Sequence, residues 1–213
     1  MTKSIKVLAL IVLVFATFFV TSCALKNTEQ DVPVPAPEIA LWDKAPEYSS
    51  TYPSAQELVL AYKQANDPFC WFVQTKLPPL DKEDEYTVEE IPIPYYRVKI
   101  DQVVNLETLW KYLSCFYDAE TVSLLMEVNV DIQKFVEDEN GNLYCNSFMY
   151  VPEGIGDKEE YKVEKNSDTK YTLTVNFDRL DDNGKVKGQG SERYVYEKIN
   201  DRWVFTRYRI FRQ

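Results

Sequence analysis

The sequence predicts an α+β domain in which N-terminal helices pack on one side of a curved antiparallel sheet. Helix-capping patterns are concentrated in the first part of the domain, before Ile132. From Ile132 onward, five turn clusters divide six candidate strands. Within Lys170–Phe177 apolar and polar residues alternate, which is typical of an antiparallel strand with one buried face.

The first helix is predicted to begin at Ser54, because Ser54-Ala-Gln-Glu57 forms a capping box. Apolar residues follow at helical spacing as far as Asp67-Pro68, where we expect the helix to end. Phe69–Val73 is a short apolar run that fits either a strand or a continuation of the helical layer. Pro78–Pro94 is acidic and bounded by prolines, so we expect a solvated loop.

Tyr95–Ile100 has the composition of a strand. Asn105 then caps a predicted helix with one wide apolar face, and Asp118 caps a second, short helix. The turns expected between the later strands are Glu139–Gly141, Pro152–Asp157, Asn166–Asp168, Asp181–Gly184 and Asn200–Asp201.

The N-terminus has the pattern of an exported lipoprotein. Lys3 and Lys6 precede an apolar stretch, Val7–Val20, which is shorter than the roughly 20 residues that span a bilayer. Val20-Thr-Ser-Cys23 resembles the bacterial lipobox, in which the cysteine is lipidated and becomes the first mature residue. We therefore expect residues 1–22 to be a signal peptide and Cys23 to anchor the chain in the cell membrane, facing the extracytoplasmic space. An ordinary signal peptide or an uncleaved anchor is the alternative.

Residues 23–53 are rich in proline and lack sustained periodicity, which predicts an extended tether. Residues 54–213 then form one domain of ordinary size. Removal of residues 1–22 takes away two lysines and no acid, so the formal charge falls from −10 to −12. Such an acidic surface argues against a nucleic-acid partner.

Histidine is absent from the sequence. This excludes Ser-His-Asp and Cys-His catalysis and every histidine metal site. We expect neither enzymatic activity nor a cofactor or metal. Cys70, Cys115 and Cys145 each adjoin an aromatic residue and show no Cys-x-x-Cys spacing, which favours buried thiols, although one disulfide among them stays open.

The segment Val151–Glu160 is longer than a hairpin needs, and it carries two glycines and four acids. Long loops on a rigid sheet often carry recognition, so this segment is a candidate binding loop, with a solvated acidic connection as the alternative.

The second half of the chain resembles the IseA family of DL-endopeptidase inhibitors and its lipoprotein relatives. The stretches that carry the resemblance are Tyr96-Arg-Val, Asn105–Leu113 with Phe116, Ala119–Leu125, Phe135–Tyr144, Gly154-x-Gly156 and Trp203–Thr206. The resemblance implies an exported protein without catalytic activity that binds cell-wall hydrolases of the NlpC type. It also implies that an acidic, glycine-containing loop enters the positively charged catalytic cleft of the hydrolase. On this chain the matching residues are Glu153, Gly154, Gly156, Asp157, Glu159 and Glu160.

The alternative is a cell-envelope lipoprotein with the cone shape of nuclear transport factor 2-like domains, which binds a small ligand or another protein. In such a fold a helix-capped curved sheet encloses an apolar pocket. Trp110, Tyr144 and Trp203 are the residues expected to line it.

Overall fold

The computed structural model describes residues 52–89, 91–150 and 154–208, apart from the side chain of Asp157. The helices of this part of the chain are α1 (Ala55–Phe72), α2 (Leu106–Leu113) and α3 (Ala119–Ile132). Its strands are β1 (Leu80–Tyr86), β2 (Tyr95–Val98), β3 (Phe135–Glu137), β4 (Leu143–Asn146), β5 (Ile155–Ser167), β6 (Lys170–Leu180), β7 (Val186–Ile199) and β8 (Arg202–Thr206). The α+β prediction is therefore confirmed. The predicted signal peptide, Cys23 and nearly all of the predicted tether lie outside the described residues.

The strands form two antiparallel sheets where the sequence predicted one. Sheet A has the order β1-β2-β4-β3, and sheet B has the order β5-β6-β7-β8. Sheet B is a meander of consecutive hairpins, whereas β2 pairs with β4 across the whole helical segment between them. The six strands expected after Ile132 are all present, but the first two join sheet A and only the last four form sheet B.

The α1 helix begins at its predicted cap and continues beyond its predicted end. Both reciprocal hydrogen bonds of the Ser54–Glu57 capping box are present. The helix passes through Pro68 and ends at Phe72, so the expected stop at Asp67-Pro68 is wrong. A proline inside a helix costs about 3 kcal/mol. Burial of a large apolar side chain contributes roughly 1.5–3 kcal/mol, and this turn buries Phe69, Trp71 and Phe72, which offsets the cost.

The acidic segment after Pro78 also differs from its prediction. It contains β1, which pairs antiparallel with β2 at the edge of sheet A. The residues of β1 are half-buried or exposed throughout, so the strand lacks the alternation by which a half-buried strand is recognised. Its charged side chains are typical of an edge strand that must not pair with another chain.

The core is formed where α1 meets both sheets. The Tyr62 ring lies 5.0 Å from that of Tyr194 in β7, and the Phe72 ring lies 5.2 Å from that of Phe135 in β3. The helices α2 and α3 add Leu109, Leu113, Val122 and Leu125 to the same buried cluster. None of these three helices is both long enough and apolar enough to span a bilayer.

A buried lysine fastens the end of α3 to β4. The Lys134 ammonium donates hydrogen bonds to the backbone and side-chain oxygens of Asn146, at 3.0 and 3.1 Å. It also donates to the backbone oxygen of Phe148 at 2.7 Å. Burial lowers the pKa of this ammonium, but all three of its protons have acceptors. The contact therefore fixes the chain just where it leaves sheet A toward the candidate binding segment.

Candidate functional site

The glycine-containing segment is more ordered than a free loop. Val151–Glu153 lies outside the described residues, but Gly154 precedes β5 directly, and Gly156 and Asp157 belong to that strand. Glu159 and Glu160 also lie within β5, because this part of the chain pairs with β6. The expectation of a turn over Pro152–Asp157 is therefore wrong for its second half. We call residues 154–160 the glycine–acid segment.

Both glycines of this segment allow a close approach to β6. Gly154 has φ +77°, and a Cβ atom there would lie 3.3 Å from the backbone oxygen of Leu180. A Cβ atom on Gly156 would lie 3.1 Å from the Cβ of Asp178. The backbone of Leu180 donates a 2.8 Å hydrogen bond to the Gly154 carbonyl. The glycines thus hold the start of β5 against its neighbour.

Part of the negative charge of this segment is compensated within β5. The Lys158 ammonium lies 2.9 Å from a carboxylate oxygen of Glu160, and this contact raises the pKa of Lys158. The Tyr161 hydroxyl donates a 2.7 Å hydrogen bond to Glu159. The ion pair is well exposed, so it contributes little to stability and can exchange for a partner's charges.

Three exposed apolar side chains precede the segment along the chain. Phe148, Met149 and Tyr150 are 47%, 47% and 56% exposed. The backbone of Tyr150 donates a 2.6 Å hydrogen bond to the carbonyl of Gln74, just after α1. Contiguous exposed apolar residues beside charged ones are typical of interaction surfaces. This exposed trio was not predicted from the sequence, although the run Phe-Met-Tyr before Pro152 could have indicated it.

The three aromatic residues expected to line a pocket lie in separate surroundings. Trp110 is half-buried on α2, against the core. Tyr144 lies in sheet A, where its hydroxyl donates a 3.0 Å hydrogen bond to Asp84. Trp203 lies in sheet B, with its ring 5.4 Å from that of Tyr171. They belong to a helix and to two different sheets, and none of them lines the cavity described next.

A cavity of about 650 Å³ lies elsewhere, between α1, the segment 76–79 and the end of α2. Its aromatic surface includes Trp71 and Tyr112, whose rings are nearly parallel, with 5.9 Å between centroids and an angle of 6°. The other lining residues are Gln64, Asp67, Lys76, Leu77, Pro78, Pro79, Ile100, Gln102, Cys115 and Phe116. They come from four separate stretches of sequence, so no local pattern could have predicted them.

The cavity has one thiol, and it is not a nucleophile near neutral pH. Burial raises the pKa of Cys115 to about 11. Its sulfur also lies 3.6 Å from the backbone oxygen of Lys111, to which it donates a weak hydrogen bond. Cys115 and Cys145 are free and buried, while Cys70 is half-buried on α1. In the described part of the chain, no three Cys, Asp or Glu side chains are grouped closely enough to hold a metal ion.

The structure therefore offers two candidate binding surfaces, namely the glycine–acid segment with its apolar neighbours and the cavity between α1 and α2. Comparison with known proteins does not decide between them. No family model matches this chain, and no curated protein sequence matches it.

Proposed function

We propose that this protein is a membrane-anchored lipoprotein of the bacterial envelope that inhibits a cell-wall DL-endopeptidase. In this proposal acyl chains on Cys23 hold the protein at the extracytoplasmic face of the cell membrane. The proline-rich residues 23–53 let the folded part reach into the wall space. The partner is a hydrolase of the NlpC type, and the protein itself performs no catalysis.

One observation supports the proposal: the glycine–acid segment and an exposed apolar trio are separated by only three residues in the sequence. Recognition of a protein cleft generally combines apolar contacts at the centre with polar contacts at the rim. Phe148, Met149 and Tyr150 provide the first kind of contact, and the carboxylates of Glu159 and Glu160 provide the second. The resemblance to IseA-like inhibitors supports the same segment.

The charge of the whole chain supports a basic partner surface. The formal charge of −12 that remains once residues 1–22 are removed favours approach to a positively charged cleft and disfavours approach to anionic wall polymers. Steering of this kind weakens as salt is added, because the Debye length falls to about 8 Å near physiological ionic strength. Inhibition is therefore expected to be strongest at low salt.

The test measures muropeptide release by an NlpC-type endopeptidase with and without the mature chain. Glu160→Lys reverses one charge inside the glycine–acid segment and is expected to weaken inhibition about tenfold, equivalent to about 1.4 kcal/mol. Glu164→Lys is the matched control, since Glu164 lies on the same strand and pairs with Lys162 as Glu160 pairs with Lys158. The control is expected to inhibit within about twofold of the parent protein.

Two results would contradict the proposal. One is unchanged muropeptide release at low salt over a range of hydrolases with basic clefts. The other is inhibition that Glu160→Lys and Glu164→Lys weaken equally, since this would reflect total charge and not the segment.

A further inference from the structure

The cavity between α1 and α2 has a surface suited to flat apolar rings. Trp71 and Tyr112 stack on each other, and Phe116 meets Tyr112 edge-on, with 5.2 Å between centroids. We call these three lining residues the aromatic wall. Aromatic rings attract other rings in offset-stacked or edge-to-face arrangements, beyond the effect of simple burial. Pro78 and Ile100 add aliphatic surface to the lining.

The charges around the cavity cancel. Asp67 and Lys76 are the lining residues with formal charges, and their side chains pair at 2.7 Å. Both side chains are more than half exposed, so the pair lies in contact with solvent. The uncharged polar side chains include the amides of Gln64 and Gln102, which can both donate and accept hydrogen bonds. A ligand with net charge would therefore meet no uncompensated countercharge among the lining residues.

The size of the cavity is that of a small-molecule site. Ligand pockets usually measure about 300–1,000 Å³ and combine apolar walls with a few polar groups. At about 650 Å³ this cavity falls within that range. None of its lining residues belongs to the glycine–acid segment, so the site does not depend on the proposed inhibitor function.

We propose that this cavity is a binding site for a small, flat and mainly apolar molecule without net charge. Its ring packs against the aromatic wall, and its polar atoms form hydrogen bonds with the amides of Gln64 and Gln102.

The test uses the mature chain with Cys23→Ser, which cannot be acylated and stays in aqueous solution. The probe is N-phenyl-1-naphthylamine, a neutral flat compound whose fluorescence rises in apolar surroundings. Titration is expected to give a saturable rise with one site per chain. A rise without saturation, or no rise at all, would overturn the proposal.

Two variants locate the binding. Gln102→Trp adds bulk at an exposed lining position and is expected to weaken binding at least about tenfold, since the new ring competes for the cavity. Val130→Trp is the matched control, because Val130 is 73% exposed on α3 and does not line the cavity. It is expected to leave the affinity unchanged.

Tyr112→Leu then tests the aromatic wall, with thermal unfolding as a check that the variant is folded. It is expected to weaken binding about fivefold to tenfold, the equivalent of one lost ring contact. Should this substitution at a half-buried position unfold the chain, the Gln102→Trp variant at an exposed position decides the test by itself. Binding that survives Gln102→Trp at full affinity would overturn the proposal, since the probe would then occupy another apolar surface.

Discussion

Cys145 and Lys134 are ionisable side chains buried side by side near the start of the exposed apolar trio. Lys134 satisfies its protons with backbone and amide oxygens, and the Cys145 thiol donates to the backbone oxygen of Asn146 at 3.4 Å. Burial raises the pKa of Cys145 to about 12, although the nearby Lys134 ammonium acts in the opposite direction. The thiol is thus a neutral core group in the folded protein.

This pKa predicts a loss of stability at alkaline pH. In the unfolded chain the Cys145 thiol ionises near its usual value of 9.0, so above that pH the unfolded state binds fewer protons than the folded state. The free energy of unfolding should therefore fall as the pH rises from 9 toward 12. Between pH 8 and 11 the parent protein should lose about 2–3 kcal/mol more than Cys145→Val.

Urea unfolding at the two pH values, followed by tryptophan fluorescence, measures this difference. Groups that titrate in this range without interacting with Cys145, among them Cys115, are common to both proteins and cancel in the comparison. Equal losses in the parent protein and the variant would show that Cys145 ionises as easily in the folded state as in the unfolded one.

At the scale of elements, β6 and β7 show how one glycine shapes a strand pair. A Cβ atom on Gly190 would lie 2.4 Å from ring carbons of Phe177, its register partner on β6. The ring covers the glycine, and both residues are buried. Two residues earlier on the same strand, a Cβ atom on Gly188 would meet nothing within 4 Å.

Gly190→Ala should therefore destabilise the protein, and Gly188→Ala should not. Overpacking of this kind costs about 1–3 kcal/mol, since the Phe177 ring must leave its position. At the open Gly188 position, alanine should be neutral or stabilise the fold by up to about 1 kcal/mol. Chemical unfolding of the two variants side by side gives the comparison, and equal stability would show that the ring yields without cost.

The elements also show which parts of the fold the sequence could predict. Ser54, Asn105 and Asp118 cap their helices as expected, because capping depends on residues three positions apart. The β1 strand was missed because it has no buried face, and the end of α1 was misjudged because burial outweighs the cost of Pro68. These errors arise where contacts distant in sequence decide the local structure.

The candidate sites, too, could be predicted only where their residues are close together in the sequence. The glycine–acid segment was recognisable because its glycines and acids are contiguous, although its pairing with β6 was not. The cavity was not recognisable, since Trp71 and Tyr112 meet only after α1 and α2 have packed. The predicted trio of Trp110, Tyr144 and Trp203 comes from one helix and two sheets, and none of the three lines this cavity.

At the scale of the whole molecule, lipidation of Cys23 is the prediction on which the proposed location depends. Cells grown with labelled palmitate should incorporate label into the parent protein and not into Cys23→Ala. Two or three acyl chains hold a protein stably at a bilayer, at about 0.8 kcal/mol per buried CH₂ group. The variant should accordingly leave the membrane fraction. Unchanged label in Cys23→Ala would place the acyl group elsewhere, and no label in the parent protein would exclude acylation.

The contact between the beginning and the end of the described chain has a kinetic consequence. Tyr208 hydrogen-bonds to Asn66 on α1, 142 residues away, and its ring lies against that of Tyr62. Contacts so distant in sequence form late, because loop closure must come first. In the export we propose, a chain that crosses the membrane N-terminus first cannot close its core until β8 has crossed. Under that proposal the face of α1 that carries Tyr62 and Asn66 lacks its Tyr208 contacts until the last described residues have crossed, whereas the contact of Phe72 with Phe135 can form earlier.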